Sequence, residues 1–265
     1  MRHFLEGSPM RRATLTTLIG LGLSVLTVLF IGEKPEPPRT FNEAKQIARS
    51  IYDEQPVTFY CGCRYSGSTV DLASCGYTPR KQPARAQQLE WEHVVPAWVI
   101  GRQRQCWKEG GRKSCAAGDP VFSTAEADLH NLVPSIGEVN GDRSNFALGM
   151  IDAKPSQYGA CPMVVSFSDK VAMPPEHARG PAARIYLYMA DQYDLRLSSR
   201  DRRTYEAWNR LYPVSDWERW RNQEVSCVMG RENPYVGPYD PSRCAGANVV
   251  DRLRDLLLDA LRQLR

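Results

Sequence analysis

The chain has 265 residues, enough for one large domain or two small ones at roughly 100–200 residues each, and is 42% hydrophobic and 24% charged. That balance excludes disordered, collagen-like and multi-span membrane proteins. Basic residues exceed acidic ones by a formal +4, too little to argue for a polyanionic partner, so any nucleic-acid reading has to come from a site.

The first 32 residues read as an export segment. Arg11 and Arg12 precede a charge-free run of 20 residues, Ala13 to Gly32, longer than the roughly 7–15 of an ordinary signal core and close to the roughly 20 that span a bilayer. A cleavable signal and an inner-membrane anchor both stay open, and either delivers the body to the periplasm or beyond. Residues 33–39, with three prolines, form an extended spacer. Membrane contact is expected only through this N-terminal segment, and the body, 40–244, is expected to be a monomer.

Thr40-x-x-Glu43 is a capping-box pattern followed by apolar residues at helical spacing, which predicts a helix near 41–53. Val57 to Tyr60 reads as a strand, and Cys61 to Pro83, rich in Gly, Ser, Pro and Cys, as a stapled loop. Leu89 to Val95 has strand character and stops at Pro96; a second short strand is predicted at Asp128 to Val133, stopped by Pro134. Between them lie a helical piece near 97–108 and a loop carrying Gly110, Gly111 and Gly118. A strand at 163–168 and helices near 176–193, 199–211 and 215–229 follow. The extension 245–265 places Val250, Leu253, Leu257, Ala260 and Leu264 on one side of an amphipathic helix. The fold class is α+β, mostly helical.

Eight cysteines, Cys61, Cys63, Cys75, Cys106, Cys115, Cys161, Cys227 and Cys244, all follow the export segment, and an even count in an exported body reads as four disulfides. Zinc is disfavoured, because Cys61-x-Cys63 lacks the C-x₂-C spacing and no second pair follows. Spacing does not give the connectivity; Cys106 with Cys115, closing a short Gly-rich loop, is the one pairing offered.

Of four histidines, His3 lies in the leader, leaving His93, His130 and His177. There is no H-E-x-x-H for a zinc protease and no G-x-S-x-G elbow, and oxidised cysteines supply no thiolate. What survives is a carboxylate holding a hard cation beside a neutral histidine that activates water, within Glu90-Trp91-Glu92-His93 or Asp128-Leu129-His130-Asn131. His177 reads as structural or surface, and Trp217 with Trp220, at i and i+3, as core-facing. Arg102, Arg104, Lys108, Arg112 and Lys113 put five positive charges in twelve residues, enough to follow a phosphate backbone without reading bases.

The runs EWEHVVPAW (90–98), RQCWKEGGRKSC (104–115) and EADLHNLVPSIGEVNGDRSNF (126–146), with MPPEHARGPAARIYLYM (173–189) and Asn233-Pro234, closely resemble the endonuclease I family of exported bacterial nucleases. The resemblance runs from about Phe41 to Cys244. It implies a ββα-metal nuclease core set among helices and disulfide-closed loops. It further implies His93 as general base, Glu92 and Asn140 as ligands of one Mg²⁺, Arg112 on the scissile phosphate and Glu126 in support. His130 and Asn131 belong to the motif but read as framework. The substrate implied is DNA, with RNA as a second candidate, cleaved without sequence preference to 5′-phosphate and 3′-hydroxyl ends. The competing reading is a catalytically silent exported protein that binds nucleic acid during DNA uptake.

Two residue-level tensions accompany the resemblance. Neighbours in a regular strand face opposite sides, so Glu92 and His93 are expected to share a site only if the strand bends. Asn140-Gly141, taken alone, reads as a turn, whereas the resemblance puts Asn140 on a helix.

Overall fold

Helix α1 spans Phe41–Tyr52, where Thr40 accepts the Glu43 backbone N–H while the Glu43 carboxylate reaches back to the Arg39 N–H, one residue beyond the position a capping box names. The computed structural model describes residues 36–244, so the predicted export segment and the predicted amphipathic C-terminal helix lie outside the described residues. Residues 36–239 form one compact body. Asp240 to Cys244 is a separate short stretch in which Asp240 caps the 3₁₀ turn Pro241–Arg243.

The predicted strand at Val57 to Tyr60 is instead a turn: Val57 makes one isolated bridge to Arg64 and the chain doubles back at Cys61. Two bonds hold that reversal, Cys63–Cys75 and Cys61–Cys161, the second joining residues 100 apart. Cys106–Cys115 forms as offered, across the segment that carries Gly110 and Gly111, and Cys227 and Cys244 are disulfide-bonded as well. Strands β1 (Tyr65–Ser66) and β2 (Thr69–Val70) form a small hairpin before the single-turn helix α2 (Pro83–Ala86).

The centre is a two-stranded antiparallel ladder of β3 (Leu89–His93) and β4 (Leu132–Ile136), in register from Leu89 opposite Ile136 to His93 opposite Leu132. The second strand therefore lies later than predicted and runs through Pro134 instead of stopping there. Pro134 accepts the Phe59 N–H through its carbonyl on the outer side of β4, so its missing N–H also falls on the side that β3 does not use. The preceding Leu129–Asn131 is a 3₁₀ turn capped by Asp128. Helix α6 (Gly137–Arg143) follows β4 directly and packs on both strands, and Asn140 is helical, as the resemblance implied.

Between β3 and β4 the chain makes α3 (Ala97–Gly101), α4 (Gln105–Gly118) and α5 (Pro120–Glu126). The predicted glycine loop is thus helical on both sides of a kink. At that kink Gly111 takes φ 65°, a left-handed conformation that favours glycine. A small sheet of β5 (Ala147–Leu148), β7 (Val171–Met173) and β6 (Val164–Ser166), in that order, covers another side.

Helices α7 (Glu176–Gln192), α8 (Ser199–Leu211) and α9 (Asp216–Met229) complete the body, the last two capped by Ser198 and Ser215. Helix α7 buries every residue from Ala182 to Ala190, as expected of a helix enclosed by its neighbours. Arg184 forks onto Glu218 to tie α7 to α9, and Arg221 donates to the carbonyls of Leu129, His130 and Leu132, pinning α9 to the start of β4. Trp217 and Trp220 stack with ring centroids 4.8 Å apart and pack against the core. Among the described residues no helix is long and apolar enough to cross a membrane.

Candidate active site

All five β3 residues line one cavity of about 1010 Å³, together with α1, α6 and the helices that follow β3. Glu92 and His93 share it although the pairing of β3 with β4 stays regular through both residues.

Glu92 and His93 nevertheless make separate contacts. Glu92 is buried, and its Oε1 accepts from Arg143 Nη1 at 2.8 Å and from the Tyr60 hydroxyl at 3.2 Å. Burial pushes its pKa up to about 7 against the pull of Arg143 and Tyr60. Arg143 is itself fully buried; Nη1 also donates to the His93 carbonyl and Nη2 to the Val94 carbonyl and the Tyr186 hydroxyl, while its Nε is buried without a partner among the described residues. His93 Nε2 meets the Glu126 backbone carbonyl at 2.7 Å. A carbonyl only accepts, so Nε2 carries the proton and Nδ1 holds the free lone pair. Burial lowers the imidazole pKa to about 4, with Arg112, Arg143 and Lys45 adding repulsion, which keeps the ring neutral at physiological pH.

On α6, Asn140 donates through Nδ2 to Glu90 Oε2 at 2.9 Å, which turns its Oδ1 away from that carboxylate. Arg85 grips both Glu90 oxygens, at 2.8 and 2.9 Å. Gly137 and Gly141 make this approach possible: a Cβ on Gly141 would stand 2.1 Å from Arg85 Nη1, and one on Gly137 2.6 Å from the Arg85 carbonyl. Arg112, half exposed, comes from the segment after the Gly111 kink and pairs with the Glu126 carboxylate, so Glu126 holds Arg112 by its side chain and His93 by its backbone.

Glu92, His93, Arg112 and Asn140 thus line one cavity, with Glu126 buried behind two of them. The remaining predicted basic residues fall elsewhere. Arg102 lies over the ring of Trp98, part of the cavity wall, at 4.3 Å; Arg104 pairs with Asp119; Lys108 and Lys113 are exposed outside the cavity. His177 is exposed with Nε2 on the Phe59 carbonyl, and His130 and Asn131 are buried in the framework. Sequence reasoning missed Arg143, Tyr60 and Arg85 as partners of the site's acids, and Lys45 and Arg49 on its α1 wall. Glu90 had a signal, since period-two alternation places it on the same face as Glu92.

A buried acid, a neutral imidazole, an amide oxygen and a half-exposed guanidinium held by Glu126 around one cavity form a site of the nuclease class, in an α+β body closed by disulfides. The family model of endonuclease I matches residues 38–239, and the chain belongs to the endonuclease I family. An extracellular deoxyribonuclease of Aeromonas hydrophila is 50% identical over 203 residues, covering 75% of this chain and 88% of that protein. A periplasmic deoxyribonuclease of the same organism is 46% identical over 224 residues, covering 83% and 93%. Endonuclease-1 of Buchnera aphidicola subsp. Acyrthosiphon pisum is 44% identical over 207 residues, covering 77% and 82%.

Proposed function

We propose that the chain is an exported, Mg²⁺-dependent endonuclease that hydrolyses DNA phosphodiesters without sequence preference, and that its core is of the ββα-metal type. The observation that carries this is the convergence of Glu92, His93, Arg112 and Asn140 on one cavity. The donor set fits the ion. Both hydrogen bonds to Glu92 fall on Oε1, which leaves Oε2 for a cation, and the Glu90 contact leaves Asn140 Oδ1 for it too. Both are hard oxygen donors. Among the described residues no group of three or more His, Cys, Asp or Glu is placed to hold a metal, which suits an ion that takes one or two protein oxygens and keeps its waters.

Bound there, Mg²⁺ would stabilise the charge that builds on the phosphate and the leaving oxygen. His93 Nδ1 takes a proton from water, and the resulting hydroxide attacks phosphorus in line. The P–O3′ bond breaks, the 3′ oxygen takes a proton from solvent, and the ends are 5′-phosphate and 3′-hydroxyl. Arg112 pairs with phosphate oxygens as the geometry turns trigonal-bipyramidal. Glu126 fixes the tautomer of His93 and the direction of Arg112. Because these groups address phosphate, RNA is a candidate substrate beside DNA.

The relatives named extracellular and periplasmic deoxyribonucleases, together with the apolar leader, support a body working in the periplasm or outside the cell. Supercoiled plasmid and a structured RNA, each incubated with purified protein in Mg²⁺ and in EDTA, test the reading. Plasmid nicking that EDTA abolishes and Mg²⁺ restores is expected. DNA binding without cleavage at any Mg²⁺ concentration would replace it with the silent DNA-uptake protein.

A further inference from the structure

Helix α1 has two faces. Ala44, Ala48 and Ile51 are buried against the body, while Phe41, Lys45 and Arg49, each one turn after the last, line the same cavity as Glu92, His93, Arg112 and Asn140. Phe41 anchors the stripe at its inner end: its ring lies 4.5 Å from the His93 ring, and Lys45 Nζ stands 4.8 Å above it. The carboxylates around the cleft are already taken, Glu90 by Arg85, Glu92 by Arg143 and Glu126 by Arg112. Lys45 and Arg49 have no ion pair among the described residues. Two uncompensated cations on the wall of a nuclease cleft are an electrostatic invitation to a polyanion.

We infer that the α1 stripe is a second DNA-contacting wall, in which Lys45 and Arg49 bind backbone phosphates on one side of the scissile bond. The inference rests on the nuclease reading of the cleft and adds to it the direction in which the strand leaves. With a rise of about 1.5 Å per residue, Arg49 stands about 12 Å along the helix from Phe41, and so from the base. At about 3.4 Å per nucleotide that distance covers about three to four nucleotides of one strand. Arg112 therefore serves the reacting phosphate, while Lys45 and Arg49 serve its neighbours. Contacts of this kind position the duplex and carry no sequence information.

The test pairs a charge-removing double variant, Lys45→Gln with Arg49→Gln, with a charge-keeping one, Lys45→Arg with Arg49→Lys. Fluorescence anisotropy of a labelled duplex, titrated in EDTA over a range of NaCl concentrations, gives the salt dependence of binding without any turnover. Each lost phosphate contact lowers the slope of log K against log salt by about 0.9, so the charge-removing pair should lose about 1.8 and the charge-keeping pair should retain the wild-type slope. With Mg²⁺ and plasmid, KM should rise on the order of tenfold with kcat within about twofold. An unchanged slope, or equal damage in both double variants, would overturn the inference. Failure of the nuclease reading shows elsewhere, as a wild-type chain that binds DNA and never cuts it, and the slope comparison decides the α1 wall even then.

Discussion

Two corners of this protein are built from nearly the same groups. At Glu92 a buried carboxylate meets an arginine, a tyrosine and, next in the chain, a histidine whose Nε2 sits on a backbone carbonyl. At Asp128 a buried carboxylate meets Arg231, Tyr188 and Tyr193, and two residues on stands His130, whose Nε2 also sits on a backbone carbonyl, that of Arg231. The difference lies in the unused lone pairs. Both oxygens of Asp128 are taken, Oδ2 by three side-chain donors and Oδ1 by the His130 N–H, and His130 Nδ1 is buried without a partner. Glu92 keeps one oxygen and faces a cavity. The electrostatics diverge accordingly: at Asp128 burial would raise the pKa, but His130, Arg231 and the tyrosines outweigh it and hold the group below its usual value, whereas Glu92 is pushed up to about 7. An acid beside a histidine is a framework unit when both carboxylate oxygens are met by donors inside the protein. It becomes a candidate site when one acceptor is left facing space for a substrate.

The largest effect should come from His93→Ala. Plasmid cleavage should fall by about 10²- to 10⁴-fold, the usual worth of a general base, while duplex binding and thermal stability change little. A variant keeping more than about a tenth of the wild-type rate would put the Glu92 corner in the same class as the Asp128 corner. Arg143→Met should next cost about 3–5 kcal/mol in urea unfolding, because it strands the buried Glu92 carboxylate. Asp128→Asn should cost less, about 1–3 kcal/mol, since Arg231 is part exposed and can turn to water, and the folded fraction should retain its specific activity. If Asp128→Asn abolished cleavage in a fully folded protein, the contrast between the corners would fail.

The smallest effect is a pH dependence. Burial lowers the His130 pKa to about 4, with Arg221 and Arg231 repelling the charged form while Asp128 and the Arg231 carbonyl resist the shift. A depressed folded pKa means that the unfolded chain takes up the proton first. The neutral ring's contribution is therefore intact above about 6.5 and is lost as pH falls towards 4. Urea unfolding at pH 7 and at pH 4.5 should show a smaller drop in stability for His130→Gln than for the wild type.

Much of the scaffold was legible because its signals are local. Thr40, Ser198 and Ser215 announce helix starts through side chains three residues from the N–H groups they cap. The misreadings arose where distant partners decide. Pro134 reads as a strand stop unless one knows that β4 has an outer edge free of β3, and the Gly110-Gly111 pair reads as a loop because glycine marks a kink and a loop alike. The candidate site divides in the same way. Glu92 and His93 stand out as neighbours, but Arg143 is 51 residues from Glu92 and lies in no motif that pairs them. Lys45 and Arg49 are two charges on an amphipathic helix until the fold places their side across from β3.

The Cys61–Cys161 bond has a consequence for survival among proteases. It makes a covalent ring that contains β3, β4, α6 and every residue assigned to metal, proton or scissile phosphate. One nick anywhere inside that ring, in the exposed Lys108–Gly110 segment for instance, leaves a single molecule held together by sulfur. Helix α1 is outside the ring, and exposed Asp53, Glu54 and Gln55 join it to the rest. A cut there would leave the chemistry on one chain and the α1 wall on another, joined by packing alone.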